Sequence, residues 1–155
     1  MSAKYKLFGK EISGPFTIPS GIITTEIQTL EKIGNEISEI GILTTKSVGI
    51  EPKEGNREPI IAQYGDRSFI NAVGLRNPGV QEIKRKLSKI SLPGNRFLLI
   101  SIFGADENEF REIAESLYEY ADGFELNISC PHSKKYGQIV GEDVKLVERV
   151  VKEVS

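Results

Sequence analysis

RFLLISIFGADENEFREIAESLYEYADGFELNIS, residues 96–129, holds the pattern from which the rest of the chain can be read. It opens with a short apolar run, RFLLISIFG (96–104), and closes with another, GFELNIS (123–129). Between them Phe110, Ile113, Ala114 and Leu117 recur at helical spacing. They predict a helix over 107–120 with Asp106 as its N-cap. A strand, a helix and a second strand in so short a span form a βαβ unit, the connection that parallel strands require.

The alternation continues in both directions. Upstream, PFTIPSG (15–21) reads as a strand and turn. The helix after it has Ile27, Leu30 and Ile33 on one face and a capping box from Thr25 and Gln28. IGILTTKS (40–47) is the second strand. NPGVQEIKRKLSKI (77–90) places Val80, Ile83, Leu87 and Ile90 together, with Asn77 as N-cap and Pro78 at the first helical position. Downstream, a helix over 142–154 carries a stripe of Val144, Val147, Val151 and Val154. Four βα units in a row predict an α/β fold, a parallel sheet with helices packed on it, in one domain over 1–155.

Composition narrows the function. A net charge of −2, with Lys and Arg scattered along helical faces, argues against a nucleic-acid partner. One cysteine cannot form an intrachain disulfide, and no metal-ligand spacing occurs. The first residues, MSAKYKLFGK, lack the apolar core of a signal peptide, and FLLISIF (97–103) is too short to span a bilayer. These features predict a cytoplasmic protein with no membrane partner.

Each strand ends in small, polar or ionisable residues: Ser20 and Gly21, Lys46 and Ser47, Ser101 and Gly104, Asn127 and Cys130. Taken singly, such residues merely mark the chain's return to solvent. Four sets together predict a shared site, because parallel α/β folds build active sites along the carboxyl ends of their strands. Residues 48–77 form a long connection, and long ordered loops are commonly functional. A hairpin is expected around QYGDRSF (63–69). In NAVGLRNPG (71–79), Asn71 and the backbone of Val73, Gly74 and Leu75 can offer donors and acceptors to a flat heterocycle. Gly74 permits close approach.

The segments PSG (19–21), TKS (45–47), GNREP (55–59), NAVGLRNPG (71–79), SIFG (101–104) and ELNISCPH (125–132) follow in an order and spacing that resemble the dihydroorotate dehydrogenases, specifically the soluble class with a cysteine base. The resemblance implies the N-terminal half of an eight-stranded β/α barrel of about 250 residues, with FMN at the carboxyl ends of its strands. It implies that Ser20 and Gly21 lie beside the flavin, that Lys46 and Ser47 contact it, and that Ser101 does so as well. Lys46 would also approach the substrate carboxylate. Asn71, Ala72, Val73, Gly74 and Leu75 would hold the pyrimidine ring, and Asn127 would bond to both substrate and flavin. Cys130 would be the general base, taking the C5 proton of dihydroorotate while FMN accepts the C6 hydride to give orotate. His132, the only histidine, stands where many members have Asn and receives no catalytic role.

The same resemblance implies partners: an iron–sulfur flavoprotein subunit for electron transfer, and a second copy or a complementing half-barrel. Without the phosphate-binding loops of the second half, the chain is expected to bind FMN weakly or not at all. A dihydropyrimidine dehydrogenase-like or dihydrouridine synthase-like flavin barrel shares parts of the pattern. A non-catalytic half-barrel that serves assembly is the reading from another class.

Overall fold

The computed structural model describes residues 5–131 and 135–155, so His132 lies outside the described residues. A hairpin of β1 (Tyr5–Leu7) and β2 (Lys10–Ile12) leads into β3 (Phe16–Ile18), α1 (Ile27–Glu36) and β4 (Ile40–Thr44). A second hairpin, β5 (Ile61–Gln63) and β6 (Phe69–Asn71), precedes α2 (Val80–Leu87). Then come β7 (Phe97–Ile102), α3 (Glu107–Leu117), a 3-10 turn at Tyr118–Tyr120, β8 (Gly123–Leu126), α4 (Gln138–Glu142) and α5 (Val144–Val154).

The four apolar runs form one parallel sheet in the order β3-β4-β7-β8. Side chains alternate across a strand, so each contributes one set to each face. Leu43, Leu98, Ile100 and Ile102 pack with Ile27, Leu30, Val80, Ile83, Leu87, Phe110, Ile113 and Leu117 from the helices into one core. Ile42, Leu99 and Glu125 take the opposite face and are half-buried. At roughly 25 cal/mol per Å² of apolar area removed from water, this helix-facing layer is the main source of stability.

The amino ends of the strands are covered by the first hairpin. Its Phe8 ring lies 6.1 Å from Phe97, and Lys10 Nζ donates to Asp122 at 2.6 Å. Asp122 Oδ2 also accepts the Leu98 backbone N–H at 2.8 Å. One end of the sheet is thus closed, and the carboxyl end is left for the site.

The hairpin expected around residues 63–69 is present, with β5 and β6 paired from Ile61↔Asn71 to Gln63↔Phe69. Asp106 caps α3 as expected, accepting from the Asn108 and Glu109 backbones at 2.9 and 3.1 Å. Three local expectations need correction. The capping box at Thr25 and Gln28 does not form: α1 begins at Ile27, with Glu26 at its N-cap and no side-chain bond. Thr24 is drawn inward instead, its hydroxyl accepting from Gly21 N at 3.4 Å. Asn77 is not the N-cap of α2 and Pro78 is not its first helical residue; Gly79 is the cap and Val80 the first residue. Buried Asn77 holds the turn before it, its Oδ1 accepting from Gly79 N at 2.9 Å and Gly49 N at 3.2 Å. On α5 the inward residues are Leu146, Val147, Val150 and Val154, whereas Val144 is 79% exposed and Val151 46%. The ion pairs Arg149–Glu107 and Arg111–Glu153, at 2.8 and 3.0 Å, accompany this seating of α5 beside α3.

Candidate active site at the carboxyl edge of the sheet

The end of β4 turns inward at Thr44, Thr45 and Ser47, all buried. Ser47 Oγ is the hub of the edge. It lies 2.9 Å from Ser101 Oγ and 3.2 Å from Ser20 Oγ, and it accepts from Asn127 Nδ2 at 2.9 Å. A hydroxyl has one proton and two lone pairs, so three partners satisfy it fully. The residues after β3, β4 and β8 therefore meet through one atom, with Ser101, near the end of β7, beneath it. Ser101 is fully buried, and its backbone N–H donates to Thr45 Oγ1 at 3.1 Å.

Above this network lies a cleft of about 360 Å³ lined by Pro19, Ser20, Lys46, Ser47, Glu125, Leu126, Asn127 and Ser129. That volume falls within the range of small-ligand pockets, about 300–1,000 Å³. With Ser47 saturated from inside, the side-chain groups left to face a ligand are the Ser20 hydroxyl, the Asn127 carbonyl, the Lys46 ammonium and the Glu125 carboxylate. Burial holds Lys46 below the usual lysine range, and the negative charge of Cys130 partly opposes that effect. Gly21, at φ +76°, makes room for this ammonium: a Cβ there would stand 3.2 Å from Lys46 Nζ. The left-handed backbone is what favours a bare α-carbon here, and the lysine tip gains room from it. Cys130 is half-buried, and its carbonyl accepts the Gln138 N–H at 3.1 Å.

A cation, a carboxamide and a hydroxyl around one cleft suit a planar, polar ring that gains negative charge; Ser20, Lys46 and Asn127 could hold such a cofactor, with Ser47 fixing Ser20 and Asn127 from beneath and Gly21 beside Lys46. Among the described residues no cluster of metal-ligating side chains occurs, and no helix is long and apolar enough to cross a membrane.

Asn71 to Leu75 are placed differently. They do not line the cleft. The Ala72 and Val73 carbonyls accept from Asn56 Nδ2 and N at 2.7 and 3.0 Å, and Gly74 is buried against the Asn56 side chain. Asn71, at the end of β6, is exposed. GNREP is therefore a brace for NAVGL, a role its sequence does not announce. Sequence reading also passed over Glu125 on the cleft floor. Its signal was the alternation along β8, which puts it on the same face as Asn127.

The profile of the dihydroorotate dehydrogenase family matches residues 2–155. The chain is 39% identical over 156 residues to dihydroorotate dehydrogenase B (NAD(+)), catalytic subunit, of Methanocaldococcus jannaschii, covering 98% of this chain and 50% of that protein. The same-named protein of Pyrococcus furiosus is 39% identical over 155 residues, with 100% and 50% covered. Among solved structures, DHODH of Eimeria tenella in complex with ferulenol superposes with a TM-score of 0.77 at 20% identity, covering 95% of this chain and 41% of that one. This likeness bears out the fold: the four βα units correspond to about half of a β/α barrel. The chain spans about half the length of the curated relatives it matches.

Proposed function

This chain belongs to the dihydroorotate dehydrogenase family, and from that premise we propose that it forms the part of an FMN-dependent dihydroorotate dehydrogenase that bears the general base, Cys130. The observation that supports the reading is the convergence of Ser20, Lys46, Ser47 and Asn127 on one cleft, with Cys130 close enough to Lys46 to influence its charge.

Oxidation of dihydroorotate to orotate removes a proton from C5 and a hydride from C6. Bound FMN supplies the acceptor for the hydride. The Cys130 thiolate takes the C5 proton from the other side of the substrate ring; a thiolate is the reactive form of cysteine. Lys46 serves as a fixed positive charge beside the substrate carboxylate and the flavin ring. Asn127 orients both rings through its carboxamide, while Ser20, Gly21, Ser47 and Ser101 belong to the flavin side. Asn71, Ala72, Val73, Gly74 and Leu75 belong to the substrate side, with the Asn56 brace fixing their backbone. The proposal includes a cytoplasmic location. It also includes an iron–sulfur flavoprotein partner that passes electrons to NAD, in keeping with relatives named as catalytic subunits of a NAD(+) enzyme. Pairing with a second copy or a complementing half-barrel is part of the same reading.

The test is turnover of dihydroorotate, dihydrouracil and dihydrouridine by the complete enzyme that contains this chain. Orotate should form from dihydroorotate, and Cys130→Ala should lower kcat about 10²- to 10⁴-fold while bound flavin stays constant. Turnover of only the latter two substrates would favour a flavin barrel of other specificity. Unchanged turnover in Cys130→Ala would remove the base assignment.

A further inference from the structure

The loop that carries Cys130 is pressed from one side by residues 136–141. Gly137 precedes α4 with φ +69°, and a Cβ there would overlap the Cys130 carbonyl oxygen and lie 2.7 Å from its N and 2.8 Å from its Cβ. All three neighbours belong to Cys130, and two are backbone atoms that no rotamer change can move. One turn later, a Cβ at Gly141 would overlap the Ile128 carbonyl oxygen. The Gln138 N–H donates to the Cys130 carbonyl at 3.1 Å. Residues 128–130 therefore lie directly on the bare backbone of this turn and helix.

The turn is itself anchored. The Tyr136 ring meets Phe103 edge-on, centroids 5.3 Å apart at 80°, and Lys53 Nζ stands 4.6 Å from the centre of the same ring. An edge-on aromatic pair and a cation over a ring face are both attractive, so the ring is held from two sides. Phe103 is buried and packs against Gly49, so it cannot follow a displaced ring. Lys53 is fixed by paired backbone bonds with Asn77, 2.8 and 2.9 Å long. Burial and the Glu109 carboxylate hold the Tyr136 phenol above its ordinary range, so the ring stays neutral under the lysine.

We infer that Tyr136 and Gly137 are positioning residues for Cys130: the tyrosine pins the turn to Phe103 and Lys53, and the glycine seats the cysteine backbone against it. The inference rests on the reading of Cys130 as the base. Its effect is on proton removal, because the sulfur must sit within hydrogen-bond reach of the carbon it deprotonates.

Alkylation by iodoacetamide in the complete flavoenzyme, followed by mass spectrometry at the peptide that carries Cys130, reports on this sulfur. Gly137→Ala and Tyr136→Leu should each raise the alkylation rate at least about threefold by freeing a half-buried sulfur, and displace its pH profile. Tyr136→Phe keeps the ring and should restore the parent rate to within about twofold. In the complete flavoenzyme, the first two variants should lower kcat about 10- to 100-fold with KM changed by less than about threefold. Tyr136→Leu alters only a half-buried ring and decides the matter if Gly137→Ala does not fold. Alkylation and kcat within twofold of the parent in the folded variants would overturn the clamp. Cys130→Ala measured alongside separates the two ideas: retained turnover there removes the base assignment itself, whereas lost turnover beside unaffected clamp variants removes only the clamp.

Discussion

The Asn127 carboxamide donates to the Ser47 hydroxyl across 2.9 Å, although the two residues stand 80 positions apart in the chain. The bond reaches over β7 to join the ends of β4 and β8. Ser47→Ala removes the acceptor of Asn127 and a partner of fully buried Ser101. A buried polar group left without its partner costs about 1–3 kcal/mol. Urea unfolding should record a loss of that size. The double variant Ser47→Ala with Asn127→Ala should lose less than the sum of the single losses; strict additivity would mean that the bond contributes nothing.

Lys46 makes the stability of the chain depend on alkaline pH. Its folded proton affinity is lowered by burial, so it releases its proton below the usual lysine value of 10.5. Between the folded and unfolded values the unfolded chain binds more protons, and stability rises with pH. Below that window the charged, partly desolvated form weighs against folding in full. Lys46→Met should therefore be the more stable protein at pH 7, and its advantage should shrink as pH climbs toward 10.5. Thermal melts across pH 7–10.5 check this, and an advantage that stays constant would refute it.

The thiol beside Lys46 opposes that shift, since negative charge on Cys130 raises the lysine's affinity for its proton. Cys130→Ser removes the opposing charge. The Lys46 ammonium, followed by NMR titration, should then lose its proton at a lower pH than in the parent chain. An unchanged or higher value in the serine variant would show that the two groups are not coupled.

At the opposite end of the sheet, Asp122 joins two elements through different bonds. It accepts Lys10 at the surface and the Leu98 amide within the sheet. Asp122→Ala leaves that amide without its acceptor and should cost about 1–3 kcal/mol. Lys10→Met removes the partly exposed ion pair, about 0–1 kcal/mol, and the ammonium 5.9 Å from the centre of the Phe97 ring, but leaves the Leu98 amide bonded. Hydrogen exchange at Leu98 should quicken in the first variant alone; equal effects in both would contradict this division.

Much of the fold could be read because its signals are local. Asp106 and the periodic Phe110, Ile113, Ala114 and Leu117 determine α3 within a dozen residues, and the structure places all of them as read. Errors arose where a partner distant in sequence decides. Asn77 looks like a helix cap until Gly49, 28 residues away, claims its carbonyl oxygen. In VKLVERVVKEV two valine stripes are available, and only the packing beside α3 selects Leu146, Val147, Val150 and Val154. The site divides in the same way. Strand-end positions announced Ser20, Ser47, Ser101 and Asn127, whereas Tyr136, Phe103 and Lys53 come from three separate loops and share no motif.

The order β3-β4-β7-β8 repeats the order in which the chain is synthesised. No strand has to be inserted between two that already exist; each new one extends the edge left by its predecessor, which keeps the required loop closures short. Ser47 gains its companions in the same succession. Ser20 already exists when Ser47 emerges, Ser101 arrives with β7, and Asn127 comes only after β8 has docked. The last hydrogen bond to that one hydroxyl thus marks the moment at which the fourth strand has found its place.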